Sequence, residues 1–174
     1  MKTASEYTHP HQRVGIFIDV QNLYHSAKNL YRGRVNYKEL IKHLVADRQL
    51  IRAVAYVVKS ETAAGEASFF EALEKAGLEL RMKDLQVYAD GFKKADWDVG
   101  MAVDAIRMSS FLDVVILVTG DGDFLPLIDY LKWGVGRFVE VAAFERSASA
   151  KIKESADRFI SIEGVPRAVI KKLI

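Results

Sequence analysis

Val114-Val115-Ile116-Leu117-Val118-Thr119-Gly120-Asp121-Gly122-Asp123-Phe124 decides the fold. Five aliphatic residues run without a polar break, then Thr119 and Gly120 end the run and two aspartates flank a glycine. An apolar run with no alternation is a strand buried on both faces, the signature of a central strand in a parallel sheet. Gly15-Ile16-Phe17-Ile18 is a second run of the same kind, and it ends at Asp19. Outward from these two, six strands are expected: Val14–Val20, Ile51–Val58, Leu78–Tyr88, Val114–Thr119, Phe138–Phe144 and a short Phe159–Ile162. Segments with helical spacing lie between them: Asn22–Leu30, Tyr37–Ala46, Gly65–Ala76, Asp98–Phe111, Phe124–Trp133 and Ser147–Ala156. Almost strict alternation of strand and helix from Val14 to Ala156 predicts βαβ units, an α/β fold with a mostly parallel sheet and helices on both faces. The Leu78–Tyr88 stretch carries Glu79, Arg81, Lys83 and Asp84, which places it towards a sheet edge.

The chain has 174 residues, half of them hydrophobic and 28% charged. That suits one domain with a real core and excludes disordered, collagen-like and low-complexity chains. The domain is expected over 13–163, after a flexible segment 1–12 and before a C-terminal tail or short helix over 164–174. Lys and Arg number 25 against 23 Asp and Glu. So small an excess requires that any polyanion be met by a local basic patch. There is no cysteine, which excludes disulfides, thiolate zinc sites and cysteine nucleophiles. No apolar run is long enough to span a bilayer and no secretory leader is recognisable, so a cytoplasmic protein is expected.

The aspartates fall where the strands end. Asp19 closes the first central strand, while Asp121 and Asp123 follow the second. In an open parallel sheet, ligands bind outside the carboxyl ends of the strands, where strand order reverses. If the two central strands are neighbours, these carboxylates share one crevice. Asp98 joins them by topology: the Leu78 strand finishes at that edge, the loop from Ala89 to Trp97 stays there, and the next helix starts there. Asp104 is six residues further, about 9 Å down the helix axis, which leaves it a supporting or packing role. Carboxylates meeting without cations suit a hard divalent ion, Mg²⁺ or Mn²⁺, and the absence of Cys and of a His-Glu-x-x-His pair argues against zinc. Each residue has a plainer reading: Asp121 caps the helix after it, Asp98 favours a helix start, and Asn22 caps or orients the Asp19 loop. Asp19 is the hardest to explain away, because an unpaired carboxylate at the end of a buried strand is costly.

Other signals are weak. His9-Pro10-His11 reads as solvated, and Gly134-Val135-Gly136 lacks the third glycine of a dinucleotide loop. There is no phosphate-binding Gly-x-x-x-x-Gly-Lys loop and no Gly-x-Ser-x-Gly elbow. Phe69, Phe70, Phe111 and Trp133 have spacings that suit a core. Basic residues cluster at Arg32 and Arg34, at Lys93 and Lys94, and at Arg146, Lys151 and Lys153. Lys93 and Lys94 precede Asp98 and are placed at the crevice rim, where they suit contacts to a phosphodiester backbone.

Three stretches carry a family resemblance. Gly15-Ile16-Phe17-Ile18-Asp19-Val20-Gln21-Asn22-Leu23 resembles the opening of the NYN domains of the PIN-like nuclease superfamily. Lys94-Ala95-Asp96-Trp97-Asp98-Val99-Gly100-Met101-Ala102-Val103-Asp104 resembles that family's Lys-rich approach to an Asp-bearing helix. Val118-Thr119-Gly120-Asp121-Gly122-Asp123-Phe124-Leu125-Pro126-Leu127 resembles its Thr/Ser-Gly-Asp-x-Asp-Phe signature. The motifs stand in the family's order, nearest to its LabA-like branch. The resemblance implies a three-layer PIN-like α/β/α sandwich and a Mg²⁺- or Mn²⁺-dependent nuclease acting on RNA. Asp19, Asp98, Asp121 and Asp123 are its implied catalytic and metal-binding carboxylates, Asn22 and Thr119 support them, and Lys94 contacts phosphate. Asp96-Trp97 stands where the family has a small apolar pair, so Asp96 competes with Asp98 for the helix position; Val99 favours Asp98. The implied partner is RNA, with no membrane and no nucleotide cofactor, and assembly into a homo-oligomer stays open. A binding module without turnover and a hydrolase of small phosphate esters are the contrasting readings.

Overall fold

The two unalternated runs do pair with one another, in parallel, from Val14 opposite Val114 to Ile18 opposite Val118. A computed structural model describes residues 8–59, 65–89, 93–94 and 96–171 of the chain. Its strands are β1 (Arg13–Asp19), β2 (Gly33–Val35), β3 (Gln49–Lys59), β4 (Glu79–Asp84), β5 (Gln86–Val87), β6 (Lys93–Lys94), β7 (Val114–Val118), β8 (Phe138–Ala143), β9 (Arg158–Ser161) and β10 (Val169–Lys171). Its α-helices are α1 (Val20–Tyr31), α2 (Tyr37–Val45), α3 (Glu66–Lys75), α4 (Asp98–Met108), α5 (Leu125–Asp129) and α6 (Ala150–Ser155). The main sheet has six strands in the order β4-β3-β1-β7-β8-β9, every pair parallel. Counting only these strands along the chain gives 3-2-1-4-5-6, so strand order reverses between β1 and β7.

Alternate residues of the central strands feed two separate cores. Val14, Ile16 and Ile18 of β1, with Val114, Ile116 and Val118 of β7, pack under α1, α2 and α3. Phe17, Val115 and Leu117 face the opposite way, against Met101, Ala105 and Met108 of α4, Leu127 and Ile128 of α5, and Ile152 of α6. This is a three-layer α/β/α sandwich. It explains why those runs carry no polar residue: neither face meets water. Each fully buried aliphatic side chain contributes about 1.5–3 kcal/mol, so polar substitution in β1 or β7 is the surest way to unfold the domain.

The structure departs from the sequence expectations in four places. Leu78–Tyr88 is not one strand. β4 stays with β3 until Asp84 reaches Lys59, the last residue of its neighbour; beyond that Gln86–Val87 takes an antiparallel partner in Lys93–Lys94. The Phe124–Trp133 helix is composite: a 3₁₀ turn Gly122–Phe124, then α5, then a π-turn over Tyr130–Gly134. The end of the chain is neither tail nor helix over Val169–Lys171, which forms β10 and pairs antiparallel with β2. Gly33 is needed there, because a Cβ would lie 2.6 Å from the carbonyl oxygen of Ile170. Finally, Phe69 and Phe70 pack on the core as expected, but Phe111 is exposed and Trp133 is 80% exposed. β4 is an edge strand, as its polar residues require. No helix among the described residues is long and apolar enough to cross a membrane.

Candidate active site

The reversal of strand order sets β1 and β7 side by side, and both chains leave the sheet at the same edge. Asp19 is the last residue of β1 and the N-cap of α1: its Oδ1 accepts the Asn22 N–H at 3.0 Å. Its Oδ2 accepts from the Thr119 hydroxyl at 3.2 Å. Thr119, fully buried, also accepts the Asp121 N–H at 3.2 Å. The Asn22 side-chain oxygen accepts the Gly120 N–H at 3.1 Å. Two of these hydrogen bonds, Thr119 to Asp19 and Gly120 to Asn22, tie the β1–α1 turn to the loop after β7, and the other two brace each side. Asp121 caps the 3₁₀ turn through an Oδ1 that accepts the Asp123 N–H at 3.0 Å. The capping reading of Asp121 is therefore correct as geometry, and Asp19 proves to be a cap as well, a role the sequence reading gave to Asn22. These caps exclude nothing else, since a capping carboxylate keeps an oxygen to offer.

Asp98 opens α4 at the same edge. The carboxylate oxygens of Asp98, Asp121 and Asp123 lie within 4.8 Å of one another, a group that can hold a metal ion. Asp19 is not a member of that tight trio; its carboxylate is bonded to Asn22 and Thr119. Its charge still reaches the trio. Asp98 is pushed up to about 6, by burial first and then by the charges of Asp19, Asp121, Asp96 and Asp123. Asp19 is also raised above the usual carboxylate range, by burial more than by Asp121, against the pull of its hydrogen bonds. None of the three clustered carboxylates has a salt bridge among the described residues. An all-oxygen set with uncompensated charge fits a hard divalent cation.

The remaining expected residues separate. Asp96 acts on Asp98 through its charge but is outside the trio. Asp104 is buried below the site, where it accepts from the Tyr56 hydroxyl at 3.0 Å and pairs with Arg81 at 3.4 Å; its role is packing and charge balance. Lys93 and Lys94 form β6, but their side chains lie outside the described residues.

Sequence reasoning missed the residues that hold the crevice from behind. The loop after β8 closes on the aspartate loop: the Ser149 N–H donates to the Gly120 carbonyl at 3.0 Å. A Cβ on Gly120 would lie 3.0 Å from Ala148 Cα, and one on Gly122 would lie 3.0 Å from Ser149 Oγ. Ser26 and Ser147 share a hydrogen bond of 2.9 Å between the hydroxyls. The signal was available, because Ser147–Ser149 follow a parallel strand and must emerge at the same edge. Trp97, a departure from the family pattern in sequence, seats the start of α4. Its indole N–H donates to the Val57 carbonyl at 2.8 Å, and its ring packs against Tyr56 at a tilt of 58°, with centroids 5.5 Å apart. Gly100 leaves room for that ring, since a Cβ there would come 2.6 Å from Trp97 Cε3.

A parallel α/β/α sheet with carboxylates gathered at its switch point is the arrangement of a PIN-like domain. Residues 13–163 match the NYN domain, and the chain belongs to that family. Within it the chain is LabA-like: over 169 residues it is 24% identical to the Low amplitude and bright protein LabA of Synechococcus elongatus, covering 92% of this chain and 88% of that protein. The crystal structure of a protein of unknown function from Vibrio parahaemolyticus superposes with a TM-score of 0.84 at 29% identity. That match covers 98% of this chain and all of the other.

Proposed function

We propose that the protein is a Mg²⁺- or Mn²⁺-dependent ribonuclease that hydrolyses phosphodiesters at the crevice between β1 and β7. The observation that carries this reading is the convergence of Asp98, Asp121 and Asp123 within 4.8 Å at the switch point, together with membership of a nuclease-superfamily family. Asp98, Asp121 and Asp123 would hold the cation, with Asp19 completing the negative field. A cation held there supplies Lewis acidity, lowering the pKa of water and offsetting charge on the scissile phosphate.

The chain's own residues do the positioning. Asn22 and Thr119 tie the Asp19 turn to the Asp121 loop, so the carboxylates are set before substrate arrives and little reorganisation is needed. Trp97 fixes the first turn of α4 and with it Asp98. Lys93 and Lys94 serve as phosphate contacts on the approach to the crevice. A cytoplasmic location suits this activity.

Incubation of the purified protein with single-stranded and structured RNA, with EDTA or Mn²⁺, tests the reading. Cleavage should require the cation, and Asp121→Asn should abolish it with an unchanged circular dichroism spectrum. Wild-type cleavage by the Asp121→Asn protein would refute the assignment.

A further inference from the structure

The edge of the sheet opposite the crevice holds a second pocket. Asp113 precedes β7, Phe138 begins β8 and Asp157 precedes β9, so the pocket they line opens at the amino ends of the strands. It is an open cavity of about 400 Å³, completed by Lys132, Trp133, Gly136 and Arg137, within the range of small-ligand sites.

Three observations distinguish it from ordinary surface. Trp133 is 80% exposed, which leaves an indole, normally an anchor of core or interface, facing water. It is presented by a π-turn, Tyr130–Gly134, where an α-helix would have ended more simply; such turns recur at functional sites. The cations there are not balanced. Asp113 is already held by Arg13 through both oxygens, at 2.9 and 2.8 Å. Asp157 pairs with Lys132 at 3.2 Å and accepts the Val139 N–H at 2.8 Å. Arg137 is then the surplus charge: it acts on Asp113 only at a distance, behind Arg13, it makes no salt bridge among the described residues, and its buried Nε has no hydrogen-bond partner. Lys132 adds positive potential over the indole, 5.5 Å from the ring centre.

We propose that this pocket binds one nucleotide of a single-stranded RNA, with the base on Trp133 and the phosphate on Arg137. An exposed aromatic ring beside an unpaired guanidinium is the pairing that single-stranded nucleic acid requires: a π-face for any base and a fork for phosphate oxygens. The same helical run links the pocket to the crevice. It begins at Gly122 and reaches Trp133 eleven residues later, about 16 Å at helical rise, with Pro126, Asp129 and Tyr130 exposed on the way. A strand cut at the carboxyl edge is thereby held a few nucleotides away, downstream or upstream of the cut. The pocket extends the ribonuclease reading by naming the substrate as single-stranded beyond the scissile bond.

The test is fluorescence anisotropy in EDTA, which prevents cleavage, using a labelled oligouridylate of about a dozen nucleotides and an abasic strand of equal length. Trp133→Ala should weaken oligouridylate binding by about 5- to 150-fold, the value of one stacked base, and should abolish the preference over the abasic strand. Trp133→Phe should restore most of it. Arg137→Ala should flatten the salt dependence by a slope of about 0.7, one single-strand phosphate contact. Wild-type affinity and salt slope in Trp133→Ala and Arg137→Ala would overturn the proposal, whether or not the crevice cleaves RNA. So would an altered sedimentation of Trp133→Ala with RNA affinity intact, which would make this a protein-docking surface. Trp133-dependent binding in a protein that never cleaves would support the pocket and sink the nuclease reading alone.

Discussion

Removing the charge of Asp98 separates a cation site from a set of helix caps. In the metal-free protein this carboxyl is held at about 6 against an ordinary 3.8, chiefly by burial and by the neighbouring aspartates. In a dry site that difference would amount to ~3 kcal/mol of destabilisation by the ionised form. Asp98 is only half-buried, so screening by water reduces it to about 1 kcal/mol. Asp98 is also the first residue of α4, and the lost attraction to the helix dipole costs about 0.5 kcal/mol. Charge relief wins narrowly. Asp98→Asn in EDTA near neutral pH should melt about 1 to 2 °C above wild type. The sign of the pH dependence follows from the raised carboxyl. Below the ordinary carboxylate pKa both states are protonated and relief vanishes; it grows as pH rises and is complete above about 6. Divalent cation reverses the order. At a hundredfold excess over its Kd, Mn²⁺ should stabilise wild type by about 2.7 kcal/mol, a rise of about 5 to 10 °C, and Asp98→Asn should lose most of it. Differential scanning fluorimetry of both proteins, with EDTA and with Mn²⁺, reads all of these. A wild-type melting temperature indifferent to Mn²⁺ and Mg²⁺ would refute the cation site and leave only the fold.

Two further outcomes are expected from groups that hold the frame. Thr119→Val keeps the shape of a fully buried side chain but strips Asp19 Oδ2 of a donor and the Asp121 N–H of an acceptor. It should cost about 2 to 3 kcal/mol in urea unfolding, and a midpoint equal to wild type would deny the knitting role. Arg48 and Glu140 form a doubly hydrogen-bonded ion pair with both side chains wholly buried. Glu140→Gln should cost about 3 to 5 kcal/mol by stranding the guanidinium, whereas replacing both residues with Met should cost less, even though Arg158, 3.6 Å from Glu140, loses that partner in both; equal losses in the two variants would count against that account.

The Asp-x-x-Asn and Gly-Asp-x-Asp spacings already placed the aspartates at the ends of two central strands, because an unalternated apolar run has only one way to be buried. Local chemistry also reached the edge position of β4, since Glu79, Arg81, Lys83 and Asp84 are unsuited to a doubly covered strand. Nothing local disclosed that the trio is Asp98, Asp121 and Asp123 with Asp19 outside it. That division depends on a few ångströms between loops about a hundred residues apart. Asp98 was preferred to Asp96 by family likeness, and the structure brings Asp98, not Asp96, into the trio. Spacing that suits a core assumes a regular helix, and Trp133 stands in a π-turn and is exposed.

Sequence by itself determined the order of the six main strands, the parallel sheet and the edge where the acids gather, since burial patterns and strand-end chemistry are local properties written every few residues. Tertiary structure alone decided the rest. The pairing of β2 with β10 joins residues too far apart for any local pattern to announce. The buried Arg48–Glu140 pair is indistinguishable in sequence from two solvated charges. The cavity around Trp133 and Arg137 exists only because three strands start side by side. Each of these depends on distance in space between residues remote in the chain, a quantity that composition and periodicity do not carry.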